Sequence, residues 1–316
     1  MKAVSLMKLG DLENELKARF PNVDFVFSNG LSDIDDKDRE TLEILFGYDG
    51  KLDESFLKQC PNLNWIAWYA TGVNNLPLEY ISKHNIKLTN AKGVHAKQMS
   101  EFIFAYILDD YKKMKTSYIN QKNKYYDSSL TGSRLSGEKI LFIGTGSIAQ
   151  QTARIANVMG MTVMGVNTTG HTIEGFSEIY PINELKEALQ EANIVINTLP
   201  ETKDTIHLLE REHFECMDHN CLFINVGRGT VVKEEILIEA LKEKLIRHAY
   251  LDVFENEPLQ PSNELYQLNN VTITAHITGN GNENKSEVTG IFEKNLKSIL
   301  NNNELIENVV NPLNGY

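Results

Sequence analysis

A two-unit α/β fold, each unit built on a doubly wound parallel sheet, is what this chain predicts, and three observations carry the prediction. Short apolar runs of strand length alternate with helically patterned segments nearly from end to end, the pattern of β-α-β units with parallel sheets. The 316 residues, 41% hydrophobic and 23% charged, are enough for two domains with separate cores. A glycine-rich turn, Gly144-Thr145-Gly146-Ser147-Ile148-Ala149, joins a strand-like run to a helical one near the middle of the chain.

Taken in order, the first strands are expected at 3–7, 23–27, 44–47, 65–69 and 86–89, with helical stretches such as 11–19 between them. Trp65, Trp68 and Tyr69 sit at strand spacing and read mostly as core, with one of Trp68 and Tyr69 facing the opposite way from the other. A long amphipathic stretch from 97 to about 120, with Phe102, Ala105, Tyr106 and Asp109 at helical spacing, predicts one connecting helix. Because it is apolar on more than one side, it is also the expected homodimer element. A polar loop at 125–137 follows. Six further strands are expected at 140–143, 162–166, 194–198, 221–225, 249–251 and 271–274, and a helix at 287–300 presents Val288, Ile291, Phe292, Leu296 and Ile299 on one face. The expected boundaries are 1–97, 98–282 and 283–316, the first and last forming one discontinuous unit.

Bulk properties narrow the function. A net charge of −12 argues against a nucleic-acid partner, which needs a basic face. Cys60, Cys216 and Cys221 have no metal-ligand spacing, and no metal is expected. Their odd number, an N-terminus too short in apolar length for a signal segment, and no 18-residue apolar run anywhere lead to the expectation of a soluble, cytoplasmic protein.

The glycine turn follows the run 139–143 directly and opens a helix at 148–159, with Gly160 as its stop. That context is what a dinucleotide-binding turn needs. Gly144 allows the tight turn, Gly146 lets backbone approach a pyrophosphate, and Ala149 still permits close helix-strand packing; the pyrophosphate would rest on the helix N-terminus beside Ser147 and Ile148. An NAD-preferring site carries Asp or Glu about 20 residues on, to bond the ribose 2′-hydroxyl. Here that position is Asn167, which repels no 2′-phosphate, with Thr168, Thr169 and His171 close by. NADP or NAD is therefore the expected cofactor, NADP slightly favoured.

Three residues downstream carry chemistry. Arg228 in Asn225-Val226-Gly227-Arg228-Gly229, Glu257 in Asp252-Val253-Phe254-Glu255-Asn256-Glu257-Pro258, and His276 in Thr274-Ala275-His276-Ile277 each lie just past an apolar run. They can meet at one edge of one sheet. Guanidinium presents paired donors suited to a carboxylate. Imidazole can deliver a proton to the oxygen that gains charge as hydride reaches an oxo carbon, and a neighbouring carboxylate keeps it charged.

Together these segments resemble the D-isomer-specific 2-hydroxyacid dehydrogenases. So do Tyr69-Ala70-Thr71-Gly72-Val73-Asn74-Asn75, which is similar to that family's substrate-carboxylate loop, and Thr89-Asn90-Ala91-Lys92-Gly93-Val94-His95, which is similar to the segment before its interdomain helix. The resemblance covers nearly the whole chain. It implies a Rossmann dinucleotide domain with a smaller flavodoxin-like substrate domain, and reduction of a 2-oxo acid to a D-2-hydroxy acid. Arg228 would bind the substrate carboxylate, His276 would be the general acid and Glu257 its partner. Thr71, Gly72 and Val73 would complete the anion site across a closing cleft. Asp252 would lie near the nicotinamide, and Thr198, Val226, Gly227 and Gly279 are further candidate cofactor contacts.

Departures from the family pattern are informative. Ala275 stands where proline often precedes the histidine, which loosens the expectation of a rigid turn. Phosphoglycerate dehydrogenase activity is an alternative, disfavoured because no regulatory extension follows and no basic cluster awaits a phosphate. Glyoxylate, hydroxypyruvate or pyruvate fits better. An NAD(P)-sensing binding protein is a second alternative, and the retained proton donor argues against it. A formate-type reading would need glutamine at Glu257. His84, His95, His207, His213, His219 and His248 read as structural or solvated.

Overall fold

The computed structural model describes residues 1–313. The chain divides into two compact units, Met1–His95 together with the segment that begins at Gly281, and Ala96–Asn280.

In the first unit, β1 (Lys2–Ser5), β2 (Asp24–Phe27), β3 (Ile44–Gly47), β4 (Trp65–Trp68) and β5 (Lys87–Thr89) form a wholly parallel sheet in the order β2-β1-β3-β4-β5. That is the flavodoxin-type order. Every residue of β3 and β4 is buried, as expected of strands covered on both faces. Trp65 and Trp68 are core residues, each with its indole N–H satisfied, by the Thr89 hydroxyl at 3.0 Å and the Gly72 carbonyl at 3.1 Å. Trp68 and Tyr69 pack on opposite faces of the sheet. The helix Asn284–Asn302 returns to this unit, burying Val288, Phe292, Leu296 and Ile299; the Phe292 ring stacks 4.4 Å from Phe46 and 5.2 Å from Trp65. Beyond it Val309 bridges antiparallel to Thr89.

In the second unit, β6 (Lys139–Ile143), β7 (Thr162–Asn167), β8 (Glu178–Pro181), β9 (Ile194–Asn197), β10 (Leu222–Asn225), β11 (His248–Leu251) and β12 (Val271–Ile273) form a seven-stranded parallel sheet in the order β12-β11-β10-β9-β6-β7-β8. The chain winds outward from β6 to β8, returns to β9 and winds outward again. The reversal between β6 and β9 is the switch point at which doubly wound sheets bind ligands. The helix Ser147–Val158 ends where expected, with Gly160 at φ +76° donating its N–H to the Asn157 carbonyl at 3.0 Å. No regular element interrupts the loop at 125–137.

Two expectations are corrected. The sheet has seven strands, not six, because β8 is an edge strand whose Glu178-Ile179-Tyr180-Pro181 lacks an apolar run and pairs only with β7. Nor is the stretch 97–120 one helix. It is Ala96–Lys112 followed by Met114–Lys122, broken at Lys113 with φ +57°. The Tyr111 carbonyl, needed to continue the ladder, instead accepts the Ser133 N–H at 2.8 Å, and Lys112 Nζ donates to the Ser133 carbonyl at 2.6 Å. The polar loop thus ends the first helix from outside.

Candidate active site

All the candidate cofactor and catalytic positions of the second unit follow strand ends on one edge of its sheet. Gly144 follows β6, Asn167 closes β7, Thr198 follows β9, Val226 to Arg228 follow β10, Asp252 follows β11, and His276 and Gly279 lie just past β12. Because the strands are parallel, separate sequence positions become neighbours in space.

The glycine turn has the geometry its composition suggests. Gly144 is at φ +93°, and a Cβ there would lie 3.0 Å from Leu199 Cδ2 and 3.2 Å from Thr198 Oγ1. Thr198 props the turn through its hydroxyl, which donates to the Gly144 carbonyl at 2.9 Å. Gly146 caps the following helix, and a Cβ built on it meets nothing within 4 Å. No acidic residue sits in that helix's first turn. An open backbone approach at an unneutralised helix N-terminus fits a dinucleotide pyrophosphate. Asn167 spends most of its amide contacts on its own turn, and its Nδ2 also reaches Thr145 Oγ1 in the glycine turn at 3.4 Å. Its Oδ1 accepts from Gly170 N at 2.7 Å and Thr169 N at 3.2 Å, and its Nδ2 donates to the His171 carbonyl at 2.9 Å.

Glu257 and His276 form a direct pair, Nδ1 to Oε2 at 2.7 Å, and the other carboxylate oxygen accepts the Phe254 N–H at 2.9 Å. That arrangement leaves imidazole Nε2 for a reacting group. The hydrogen bond to Glu257 raises the His276 pKa; burial and the Arg228 charge work against it without reversing it. Burial disfavours the Glu257 carboxylate, but the bonds from His276 and Phe254 N–H and the charges of His276 and Arg228 outweigh it and hold its pKa below the usual range. The ion pair therefore persists between a lowered carboxylate and a raised imidazole.

His276 is held by Asp252. The histidine has φ +53°, a left-handed conformation that costs a non-glycine residue roughly 1–2 kcal/mol. Its N–H donates to the Asp252 carbonyl at 2.8 Å. The Asp252 carboxylate, wholly buried, accepts from Ile277 N at 2.9 Å, Thr278 N at 3.0 Å, the Thr278 hydroxyl at 2.6 Å and the Thr274 hydroxyl at 2.5 Å. These bonds supply the rigidity that proline would have given at Ala275. The Tyr106 hydroxyl adds a further bond to Thr274 at 2.7 Å.

Arg228 is half-buried, and its Nη1 donates to the Gly227 carbonyl at 2.8 Å. Behind it, a Cβ on Gly229 would fall 1.9 Å from the Phe254 carbonyl carbon and 2.4 Å from Glu255 N. The arginine turn thus presses directly on the loop bearing Glu257. Gly229→Ala is expected to separate the two backbones, lowering Tm and cutting turnover by more than about tenfold, because backbone on backbone cannot relax as a side chain can. A thermal melt with an assay checks this, and unchanged turnover would refute the packing argument.

Sequence reading missed several supporting residues: Tyr106, Thr274, Thr278, and the buried amides Asn197 and Asn225, each closing an apolar strand as Ile194-Val195-Ile196-Asn197 and Leu222-Phe223-Ile224-Asn225. An asparagine ending an otherwise apolar run was the available signal. In the first unit, Thr71 to Val73 follow β4. Their loop is anchored through carbonyls: Thr71 O accepts from Asn90 Nδ2 at 2.8 Å, and Gly72 O from Trp68. The discounted histidines have local roles. His84 stacks on Tyr80, His213 closes a reciprocal helix cap, His219 contacts the Lys244 carbonyl, His207 pairs with Glu255 at 2.8 Å, and His95 meets Asn284 at 3.0 Å. Burial pushes the His248 pKa down to about 4, and its Nε2 meets the Thr272 hydroxyl. Among the described residues, no cluster of three His, Cys, Asp or Glu side chains could hold a metal, and no helix is long and apolar enough to cross a membrane.

Residues 104–278 match the family model for the D-isomer specific 2-hydroxyacid dehydrogenase, NAD binding domain. The chain belongs to the D-isomer specific 2-hydroxyacid dehydrogenase family. It is 30% identical over 270 residues to a glyoxylate reductase of Thermococcus litoralis, covering 83% of this chain and 81% of that one. It is also 30% identical over 276 residues to a glyoxylate/hydroxypyruvate reductase B of Yersinia pestis, covering 85% and 84%. A crystal structure of a D-isomer specific 2-hydroxyacid dehydrogenase family protein from Aeromonas salmonicida superposes with a TM-score of 0.89 at 27% identity, covering 98% of this chain and 99% of that one. As a member of this family, the protein is an oxidoreductase that transfers hydride between a nicotinamide dinucleotide and a 2-oxo or 2-hydroxy acid.

The paired titration predicts a pH profile. His276, with its pKa raised above 6.5 chiefly by the bond to Glu257, is protonated at low pH and loses its proton as pH rises through that raised value. With His276 as the proposed proton donor, reduction draws on the protonated form, so kcat/KM should hold on the acid side and fall on the alkaline side. Glu257→Gln removes the anion, so the alkaline limb should move to lower pH while kcat drops; an unmoved limb would show that Glu257 does not tune the donor.

Proposed function

We propose that this enzyme reduces a small, unphosphorylated 2-oxo acid of the glyoxylate, hydroxypyruvate or pyruvate class to the D-2-hydroxy acid, with NADPH favoured over NADH. The observation that carries the reading is the Glu257–His276 pair at 2.7 Å, on the sheet edge that also carries Arg228 and the glycine turn. The reductase names of the relatives support the substrate class.

Bound at the turn, the reduced dinucleotide supplies hydride. Arg228 holds the substrate carboxylate and draws electron density toward the 2-oxo oxygen. His276 Nε2 gives its proton to that oxygen, and the Nδ1 bond to Glu257 keeps the ring oriented and stabilises the charge it holds before transfer. The neutral imidazole then regains a proton from solvent. In the oxidative direction the same imidazole accepts the proton. The loop at Thr71, Gly72 and Val73 is proposed as the second carboxylate holder.

The NADPH preference is supported by Asn167 in place of a carboxylate and by the neighbouring polar groups: the Thr168 and Thr169 hydroxyls, and His171, whose Nδ1 meets Thr169 Oγ1 at 3.0 Å. Asn167→Asp keeps the acceptor for Thr169 N and Gly170 N and adds charge. The ratio of kcat/KM with NADPH to that with NADH should fall by about tenfold or more, since like charges in contact cost several kcal/mol. An unchanged ratio would place the discriminator elsewhere.

A homodimer is supported by an apolar, aromatic surface on the second unit, where Tyr118, Ile119, Tyr125 and Tyr126 are exposed, Tyr126 by 92%; sedimentation tests it. A cytoplasmic setting is supported by three free cysteines. The deciding experiment mixes protein with NADPH or NADH and a panel of 2-oxo acids, 3-phosphohydroxypyruvate included, and follows the nicotinamide absorbance. Consumption with glyoxylate or hydroxypyruvate supports the proposal. Tight cofactor binding with no consumption favours a sensor, and turnover of the phosphorylated acid alone favours a phosphoglycerate-type enzyme.

A further inference from the structure

We propose that the buried amide pair Asn197–Asn225 is a positioning unit for Arg228, which ties the arginine turn to the loop beside the glycine turn. This rests on the reading of Arg228 as the carboxylate holder. The two residues are direct cross-strand neighbours at the ends of β9 and β10, and are 0% and 1% exposed. Asn197 Nδ2 donates to Asn225 Oδ1 at 2.8 Å. Asn225 Oδ1 also accepts the Gly227 N–H at 3.2 Å, and its Nδ2 donates to the Arg228 carbonyl at 3.1 Å. Asn197 Oδ1 accepts the Leu199 N–H at 3.2 Å.

These side chains serve loops rather than strands. The main-chain carbonyl of Asn225 accepts the Asp252 N–H at 3.0 Å, while its side-chain amide spans the turn from the Gly227 N–H to the Arg228 carbonyl. The guanidinium is in turn anchored to Gly227, the residue that Asn225 holds. There is little slack. A Cβ on Gly227 would lie 2.7 Å from Asn197 Nδ2 and 2.7 Å from the Leu199 carbonyl, so the arginine turn rests on the amide pair and on the Leu199 peptide together. That peptide follows Thr198, whose hydroxyl props Gly144.

The chemistry needs amides at both positions. Asn225 must accept from two N–H groups and donate to a carbonyl, whereas a carboxylate cannot donate and would repel the Arg228 carbonyl. An apolar replacement leaves buried groups unpartnered. One hydrogen-bonded chain therefore runs from the loop supporting the dinucleotide turn to the backbone that aims the guanidinium.

The test is discrimination between glyoxylate and its methyl ester, because only the acid presents a carboxylate to Arg228. Wild-type enzyme should prefer the acid. Asn225→Ala and, separately, Asn197→Ala should each cut the ratio of kcat/KM for acid over ester by about tenfold or more, with NADPH affinity, read by nicotinamide fluorescence, changed less than about threefold. A merely structural loss lowers the active fraction for both substrates equally and leaves the ratio alone. A wild-type ratio in a folded variant overturns the proposal. Should Asn225→Ala fail to fold, Asn197→Ala, which removes one link and leaves both Asn225 contacts to the arginine turn, decides by the same ratio. Wild-type enzyme that turns over without preferring the acid would instead sink the reading of Arg228.

Discussion

His276→Ala should lower kcat for 2-oxo acid reduction by about 10²- to 10⁴-fold, the range a positioned general acid contributes, while NADPH binding survives. The second half of that expectation rests on geometry. The turn that carries His276 is held by Asp252 through the main chain at 276, 277 and 278 and the Thr274 and Thr278 hydroxyls, none of which is the imidazole. Removing the ring should leave the turn in place. The alkaline limb of the pH profile should also vanish, because the group that titrates is gone. Stopped-flow turnover and a fluorescence titration check both parts. Turnover within about twofold of wild type would end the assignment of His276 as proton donor.

Arg228→Gln should lower kcat/KM by about 10³-fold. In its proposed role the guanidinium both holds the carboxylate and stabilises charge on the 2-oxo oxygen, and removal of a single such donor elsewhere costs 10² to 10³. Glutamine keeps a polar group of similar reach but offers neither the charge nor the fork. A second readout separates this residue from Glu257. The Arg228 charge opposes protonation of His276, so its loss should move the alkaline limb to higher pH, opposite to the shift from Glu257→Gln. A limb that moves to lower pH, or kcat/KM within about threefold of wild type, would overturn the role.

Much of this molecule was legible because its information is local. The glycine turn lies between an adjacent strand and helix, and Arg228, Glu257 and His276, the proposed catalytic residues, each lie a few residues past an apolar run. In a parallel sheet, following a run is enough to place residues on the same edge. What failed to show was set by distant partners. β8 is recognisable only through its pairing with β7. The helix break at Lys113 depends on Ser133, far along the chain, taking the Tyr111 carbonyl.

The sequence by itself determined the α/β class, the dinucleotide turn, and the residue types that meet at the strand ends. Only tertiary structure decided how those residues are held: Asp252 fixing a left-handed His276, Gly229 pressed against Phe254, and Asn225, bonded to Asn197, holding the turn at Gly227 and Arg228. The reason is physical. Strand and turn propensities act between near neighbours, whereas the aim of a side chain depends on buried hydrogen bonds and backbone contacts between strand ends far apart in the chain, where a polar group left without its partner costs about 1–3 kcal/mol.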